Sequence, residues 1–529
     1  VRFTAALRKN RLSHAVVAPT GRPYSFPSPT GGWNSRDPLE SMKPQDAIIL
    51  DNYFPTTGNV QLRGGSRPTA TGMGTGIKVE TLEEWAQGTT NEMWAWANNK
   101  IYNVTAEGAV GAPVVSGLSN SRWQSTLFTS ANSTRLICVN GLDEMRQYDG
   151  TTWAAINAAS APIAITGVLT SSLINVWQHQ KRLFFIEKNT MNAWCLDINV
   201  FGGTAHKIDL GGLFEKGGCL VAGGTWTRDG GDGMDDLCVF VTNKGEIAIY
   251  SGDDPTTSGH WTLIGKYEQG TPIGYRCMVK TGADLALMTL DGIVGLSTII
   301  SLDRAASNRV ALSSKISGAF AQVTQQYGSN FGWQAISYPR GNQAWFNIPV
   351  QEGVQQQQYV LNTITGAWCR FKDLNANVWC LHNNRLYFGN NNGEVWLADD
   401  GDTDNGVAIS GLVKTSFQSV GNPALKKKFN LIRPRIISNL DLVFGAAIVV
   451  DYDQSDVVPQ PSSASFSELS IWNIATWDVD PWDTLILLKR WIKVKGKGNC
   501  VAVIFSTNTA GFSVQLNSID LLFEPAGIL

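Results

Sequence analysis

Adjacent carboxylates are the first residues of this chain that suggest chemistry. Glu83-Glu84 and Asp253-Asp254 are the kind of acid pair that glycoside hydrolysis uses, provided that two carboxyls face each other across about 5–9.5 Å of a cleft. Adjacency in sequence does not establish that arrangement. Asp400, Asp402 and Asp404 alternate as the ligands of a calcium loop do, but Asn405 replaces the usual glycine and Gly411 stands where a closing glutamate belongs. Asp229, Asp232, Asp235 and Asp236 form a second acidic loop with no better template. Solvated turns between strands are the expected state of both. Gly72-Met73-Gly74-Thr75-Gly76 lacks the third-glycine spacing and the βαβ setting of a dinucleotide fingerprint and reads as a linker. The motifs G-x-S-x-G, H-E-x-x-H and G-x-x-x-x-G-K-[ST] are absent, and His14, His179, His206, His260 and His382 stand apart from one another. The residues therefore announce no nucleophile, metal site or cofactor, and a non-enzymatic role is the expectation.

The elements that would have to position such residues are strands. Charged residues are only 16% of the chain, while 19 Trp and 53 Gly accompany many Val, Ile and Thr. That mixture suits pleated sheets joined by tight turns. With 42 Lys+Arg against 44 Asp+Glu, the net charge of -2 lacks the basic excess that holds a protein on nucleic-acid phosphates. The eight Cys are scattered, without a C-x-x-C pair, and read as reduced core thiols. Arg8, Lys9 and Arg11 interrupt the first apolar residues, and no later stretch approaches the length of a membrane span, so neither a secretion signal nor a span is expected.

Three regions follow. Residues 1–75 combine a proline-rich arm (Pro19, Pro23, Pro27, Pro29, Pro38, Pro44) with short strands at Ile48 to Leu50 and Val60 to Leu62 around a turn at Thr57-Gly58-Asn59. Residues 76–404 carry a loose recurrence of short strands at Lys100, Arg135, Arg182, Asp236, Asp284, Ala344 and Arg385. The spacing is near the ~40–50 residues of propeller blades. Turn-then-tryptophan arrangements before Trp153, Trp368 and Trp396 suit rings wedged between blades. A β-sandwich series or a solenoid is the alternative. Residues 405–529 change to longer alternating strands, Lys427 to Asn439, Leu442 to Tyr452, Leu485 to Lys495, Cys500 to Ser506 and Phe512 to Phe523, with a turn at Lys495 to Asn499. Basic residues there, Lys426, Lys427, Lys428, Arg433 and Arg435, then Lys489, Arg490, Lys493, Lys495 and Lys497, are nearly matched by acids including Asp451, Asp453, Asp478, Asp480 and Asp483. Segregated charges of this kind suit subunit contacts.

Two stretches carry a resemblance. Gly31-Gly32-Trp33-Asn34-Ser35-Arg36-Asp37-Pro38-Leu39, continuing through Met42, Asp46-Ala47, Leu50-Asp51-Asn52-Tyr53-Phe54-Pro55 and Arg63-Gly64-Gly65, resembles the opening of short-tailed bacteriophage tail proteins. The stretch with Phe417, Gly421-Asn422-Pro423, Lys426-Lys427 and Ile432-Arg433-Pro434, and the final Ile519-Asp520-Leu521-Leu522-Phe523-Glu524-Pro525, are similar to the end of the same family. Together they cover about a fifth of the chain. The family is described as tail nozzle, tail tubular protein B or stabilization protein. The resemblance implies a virion protein assembled in the host cytoplasm, a hexamer below the adaptor of the head-to-tail connector, with tail fibres or spikes as neighbours and genomic double-stranded DNA passing through its channel. It brings no catalytic residues.

The expectation is thus an all-β chain, an irregular β-propeller inserted into a β-sandwich-like platform formed by the N- and C-terminal segments. Short strands near the N-terminus would be marginal alone and need a host sheet, which the C-terminal strands supply. Subunit or adaptor contacts are expected at Trp33, Arg36, Asp37, Tyr53, Phe54, Arg63, Lys426, Lys427, Arg433 and Arg435. The competing class is a glycan-binding or glycan-degrading propeller, in which the abundant Trp would stack on sugar rings.

Overall fold

The computed structural model describes residues 21–130, 133–229, 234–282, 284–438, 442–454, 459, 461–464, 486–488 and 490–526. The Val1 to Arg11 stretch, His14, Pro19, Asp232, Asp478, Asp480, Asp483 and Lys489 lie outside them, as do the side chains of Asp229 and Asp235. Short runs with alternating or fully buried apolar residues become antiparallel strands, and turn chemistry sets where they reverse. Asn98-Asn99, Gln180-Lys181 and Asn383-Asn384 each have φ between 44° and 59° at both residues. Such left-handed pairs twist a two-residue hairpin to match its strands.

Seven small sheets follow one another around a ring. Blade 1 holds Val79–Gln87, Thr90–Ala97 and Lys100–Asn103, and blade 2 holds Gln124–Ser130, Ser133–Val139, Met145–Tyr148 and Trp153–Ile156. Blade 3 comprises Leu173–His179, Arg182–Glu187, Asn192–Cys195 and His206–Asp209; blade 4 comprises Leu220–Asp229, Met234–Thr242, Glu246–Gly252 and Trp261–Glu268. Blade 5 has Met278–Thr281, Asp284–Thr289 and Gly292–Gly295, and blade 6 has Gln334–Tyr338, Gln343–Gln351, Gln355–Asn362 and Trp368–Phe371. Blade 7 is made of Val378–His382, Arg385–Gly389 and Val395–Ala398, and its fourth strand comes from the other end of the sequence: Ser66–Thr71 runs antiparallel to Val395–Ala398. The leading strand of each blade packs on the next blade, and that of blade 7 returns to Val79–Gln87, closing a propeller. The recurrence seen in the sequence marks the second strand of six blades; at Lys100 it marks the third strand of blade 1.

The chain ends build a two-layer platform. One sheet contains Arg22–Pro27, Tyr53–Pro55, Val60–Leu62, Lys427–Ser438, Ile486–Leu488, Ile492–Gly498 and Val514–Pro525. Arg22–Pro27 and Val60–Leu62 both pair with Val514–Pro525. The facing layer contains Asp46–Asp51, Ile409–Thr415, Val501–Thr509, Leu442–Val450 and Pro461–Ala464, and it is continuous with blade 6 because Asp51 pairs with Arg370. Side chains from the two layers interdigitate as in a sandwich, with Phe505 of one layer 6.1 Å from Tyr53 of the other. One contiguous apolar core runs from Phe26, Tyr53 and Leu516 of the platform into blades 4 to 7.

The structure departs from the sequence reading at five places. Ser66–Thr71 belongs to the propeller, and the N-terminal hairpin joins Tyr53–Pro55 to Val60–Leu62, while Asp46–Asp51 pairs with Ile409–Thr415. The stretch Lys495 to Gly498 continues the strand Ile492–Gly498 instead of turning; its lysines alternate outward, a pattern that an edge strand tolerates. Short helices, Leu296–Ser301, Arg304–Arg309 and Ser317–Tyr327, separate blades 5 and 6. The last of these has buried Phe320, Val323 and Thr324 on one side, the i, i+3, i+4 pattern of an amphipathic helix. Among the tryptophans that follow turns, Trp153 lies between blades, within 5.3 Å of Trp94 and 5.5 Å of Trp96 of blade 1. Trp368 instead donates to the Leu312 carbonyl (2.9 Å), and Trp396 packs on Phe388 of its own blade. Among the described residues no helix is long and apolar enough to cross a membrane.

Candidate functional site: the platform and its junction with the propeller

The N-terminal connector is fixed by its own short side chains. Asn34 donates to Asp37 (2.8 Å) and Asp46 (2.9 Å), and its Oδ1 accepts the Arg36 and Asp37 amides. Lys315, just before the helix Ser317–Tyr327, reaches the Gly31 carbonyl (2.5 Å) and Asp46 (2.7 Å). A side chain at Gly32 could not exist: its φ is +81°, and a Cβ would lie 2.6 Å from the Trp368 carbonyl oxygen. Trp33 is buried edge-on to Tyr359 at 4.9 Å, with the Arg370 guanidinium 5.2 Å above its ring.

Of the residues expected at subunit contacts, several are consumed inside the chain. Tyr53 is fully buried and shares a hydrogen bond with Thr507 (2.8 Å); burial pushes its pKa up. Phe54 and Trp33 belong to the same core. Arg63 is buried and bidentate on Asp404 (3.0 and 2.6 Å), and it also donates to Asn52 Oδ1, the Gly64 carbonyl and the Lys372 carbonyl. Lys427 is buried with its ammonium on three carbonyls, Ser419 (2.6 Å), Asn422 (2.7 Å) and Asn499 (2.9 Å), and burial lowers its pKa. For Trp33, Tyr53, Phe54, Arg63 and Lys427 this is a correction, because a basic or aromatic residue beside a strand is as able to fasten its own fold as to face a partner.

The others reach the surface. Arg36 pairs with Asp37 (2.8 Å), whose carboxyl Arg36 and Asn34 hold below its ordinary pKa. Lys426 is half-buried, and its carbonyl accepts the Ala526 amide. Arg433 and Arg435 converge on Asp520 (2.7 and 2.9 Å); burial opposes ionisation of that carboxyl, yet the two guanidinium groups keep its pKa low. Arg433 also lies 4.6 Å over the ring of Trp491. Lys428, Lys493, Lys495 and Lys497 are exposed on the same sheet, with Lys428 opposite Lys497 in register. This basic sheet face is what remains of the expected contact surface.

The groups with catalytic potential do not converge. Glu83 faces Ser125 of blade 2, and burial raises its pKa, whereas Glu84 contacts His382 of blade 7 at 3.0 Å. Neighbours on a strand point to opposite faces, which is why the pair divides. Asp253 contacts His260 (3.2 Å) and Asp254 contacts Arg182 (3.0 Å). In the stretch with calcium-loop spacing, Asp400 is held by Arg67 and Arg385, and Asp404 by Arg63 and Ser66. Among the described residues no cluster of three His, Cys, Asp or Glu could hold a metal ion, and all eight thiols are unbridged.

Two features of the propeller were invisible in the sequence because they join distant blades. Arg276, at the start of blade 5, donates to Thr81 Oγ1 (2.9 Å) and the Glu80 carbonyl (3.2 Å) of blade 1 and to the Trp123 carbonyl (2.9 Å) at blade 2. These blades are not neighbours, so the guanidinium bridges the propeller axis. Towards the other ends of the leading strands lies a cavity of about 400 Å³ lined by Thr126, His179, Thr225, Asp236 and Lys280. His179 Nε2 lies 3.0 Å from the Gly252 carbonyl and Nδ1 3.2 Å from Thr225 Oγ1, and burial lowers its pKa. A neutral ring with both nitrogens engaged is a structural histidine.

No protein-family model matches the chain, and no curated protein matches it. Among solved structures, YCF48 from Cyanidioschyzon merolae is similar over 63% of this chain and 98% of its own, at 12% identity and a TM-score of 0.36. An exo-beta-1,3-galactanase from Phanerochaete chrysosporium matches 87% of this chain and 100% of its own, at 10% identity and a TM-score of 0.28. Raptor from Chaetomium thermophilum matches 64% of this chain and 29% of its own, at 10% identity and a TM-score of 0.35. Likenesses at this level carry no argument about what the chain binds or does.

Proposed function

We propose that the chain is a structural subunit of a short-tailed phage tail, a nozzle that assembles as a hexameric ring beneath the adaptor, extends the DNA channel and takes part in genome retention and ejection. The observation that supports this reading best is the interlock of the two stretches that resemble that family. Although hundreds of residues separate them, Val60–Leu62 and Lys427–Ser438 both pair with Val514–Pro525. The motif residues thereby act as one platform. Its exposed face carries Lys428, Lys493, Lys495 and Lys497, suited to an acidic surface on the ring above.

The bridged axis supports the same reading from another side. Arg276 crosses between blades 1, 2 and 5, so DNA would run between copies of the chain and not through a propeller. A closed ring of copies supplies such a channel. Its near-neutral charge of -2 suits a lumen that lets phosphates pass without holding them. The reading needs no catalytic residue, and tail fibres or spikes would attach outside the channel.

Mass photometry of the purified full chain and of isolated tails tests the proposal. The expected result is a six-copy ring in the tail. A single copy in the assembled tail would sink the proposal.

A further inference from the structure

A cleft of about 710 Å³ opens where blade 7 meets the loops of blade 6 and the strand leading to the platform. Its size falls within the range of pockets that enclose small organic ligands, roughly 300–1,000 Å³. The aromatic part of its wall is Trp396 and Phe388, 6.1 Å apart and inclined by 32°. The indole N–H of Trp396 is already committed to Glu394 (2.8 Å), so the half-buried ring offers a fixed apolar face and no donor.

Opposite chemistry surrounds that face. Asp373, Asn375 and Asn392 line the cleft and are exposed. Asn375 Oδ1 accepts the Gln356 amide (3.2 Å), and its NH2 group has no partner among the described residues. The side chains of Asp373 and Asn392 likewise have none. Asp373 also has a φ of 71°, a left-handed backbone that few residues other than Gly, Asn and Asp adopt and that recurs at ligand sites. The second carboxylate in the wall, Asp404, is occupied by Arg63 and Ser66. No lining residue is a lysine, arginine or histidine; the Lys78 ammonium packs on Gly353 of the wall, but the exposed Asp373 carboxylate opposes an anionic ligand.

We propose that this cleft binds a neutral saccharide, with one pyranose ring lying on Trp396 and its hydroxyl groups bonded to Asp373, Asn375 and Asn392. A hydroxyl both donates and accepts, which matches a carboxylate beside two amides, and a bond to the ionised Asp373 is the stronger kind. Binding is non-covalent, with no bond of the sugar broken. The inference stands independently of the tail reading.

Isothermal titration and saturation-transfer NMR on the full chain, using maltotriose, mannotriose and galactotriose with a hyaluronate hexasaccharide as the anionic counterpart, test it. At least one neutral trisaccharide is expected to bind with a Kd of about 1 mM or tighter. Both Asp373→Gly, which keeps the left-handed backbone, and Asn392→Ala, at exposed positions that leave the core intact, are expected to weaken that binding about tenfold, the loss of one good hydrogen bond. Trp396→Leu should abolish it while circular dichroism stays unchanged. The inference is overturned if none of the three sugars binds at millimolar concentration, if the two exposed variants bind as the parent does, or if hyaluronate binds more tightly.

Discussion

Replacing Arg63 by Ala isolates what fastens the platform to the propeller. The guanidinium is 2% exposed and its partner Asp404 15%, and it makes hydrogen bonds to Asn52, Gly64, Lys372 and both Asp404 oxygens. Those partners come from the N-terminal segment, the exit of blade 6 and the strand leading to the platform. Removing one member of a buried, hydrogen-bonded ion pair costs about 3–5 kcal/mol. Asp404 would keep only Ser66 (2.8 Å). The apolar core is contiguous from the platform into blades 4 to 7, so the loss should be shared by one cooperative unit. At about 2.1 cal/mol/K per residue, a chain of 529 residues has an unfolding entropy of roughly 1 kcal/mol/K. Differential scanning calorimetry should therefore show a single transition lowered by about 3–5 °C. Arg63→Lys should fall between the two, since an ammonium cannot grip both carboxylate oxygens in parallel. A shift under about 1 °C, or a separate platform transition, would refute the reasoning.

Two further perturbations follow from buried charge. Lys427→Met keeps the length of the side chain but strands three carbonyls, and should lower stability in urea titrations by about 2–4 kcal/mol; an unchanged midpoint would place that ammonium in solvent. Glu83 has a pKa raised in the fold by burial, so its contribution is favourable below its ordinary value and is lost as pH rises through the folded one. Glu83→Gln is therefore expected to raise stability more at pH 8 than at pH 4.5, and urea titrations with a pH-independent difference would contradict that assignment.

What could be read from the residues depended on how local the cause was. Strand content and the recurrence of blades come from neighbours along the chain: alternating apolar runs, and turn residues such as Asn383-Asn384 with φ of 51° and 59°. The glycines in the N-terminal motif are also local signals, for Gly32 sits where a Cβ would meet Trp368. The fourth strand of blade 7 was not legible as such, because Ser66–Thr71 looks like any short strand beside Val60–Leu62. Its partner is Val395–Ala398. For the same reason charge alone misassigned Arg63 and Lys427. Whether a cation faces solvent or a set of carbonyls is decided by loops such as Ser419 to Asn422 and by Asn499, which approach only in the folded chain. The cleft at Trp396 gathers residues from six separate segments, at 66, 76, 353–354, 373–375, 388–396 and 404–408.

The closing of blade 7 also constrains how this chain can fold. Blades 1 to 6 pair strands that follow one another closely, whereas Ser66–Thr71 must wait for Val395–Ala398, and Arg22–Pro27 for Val514–Pro525. Loop closure over such separations makes these pairings slow relative to local hairpins. The propeller ring and the platform are thus completed by strands from the first part of the chain that stay unpaired until the last part exists. Arg63 stands three residues before the closing strand and bonds to Asp404, while Ser66 bonds to the same carboxylate. Asp404 therefore joins the completion of the ring to the attachment of the platform. Because the facing platform layer continues into blade 6 through Asp51 and Arg370, paired at 2.7 Å, the propeller is held at two adjacent blades. The sheet of blade 6 and the closing strand of blade 7 thus join the propeller to the platform at two separate points.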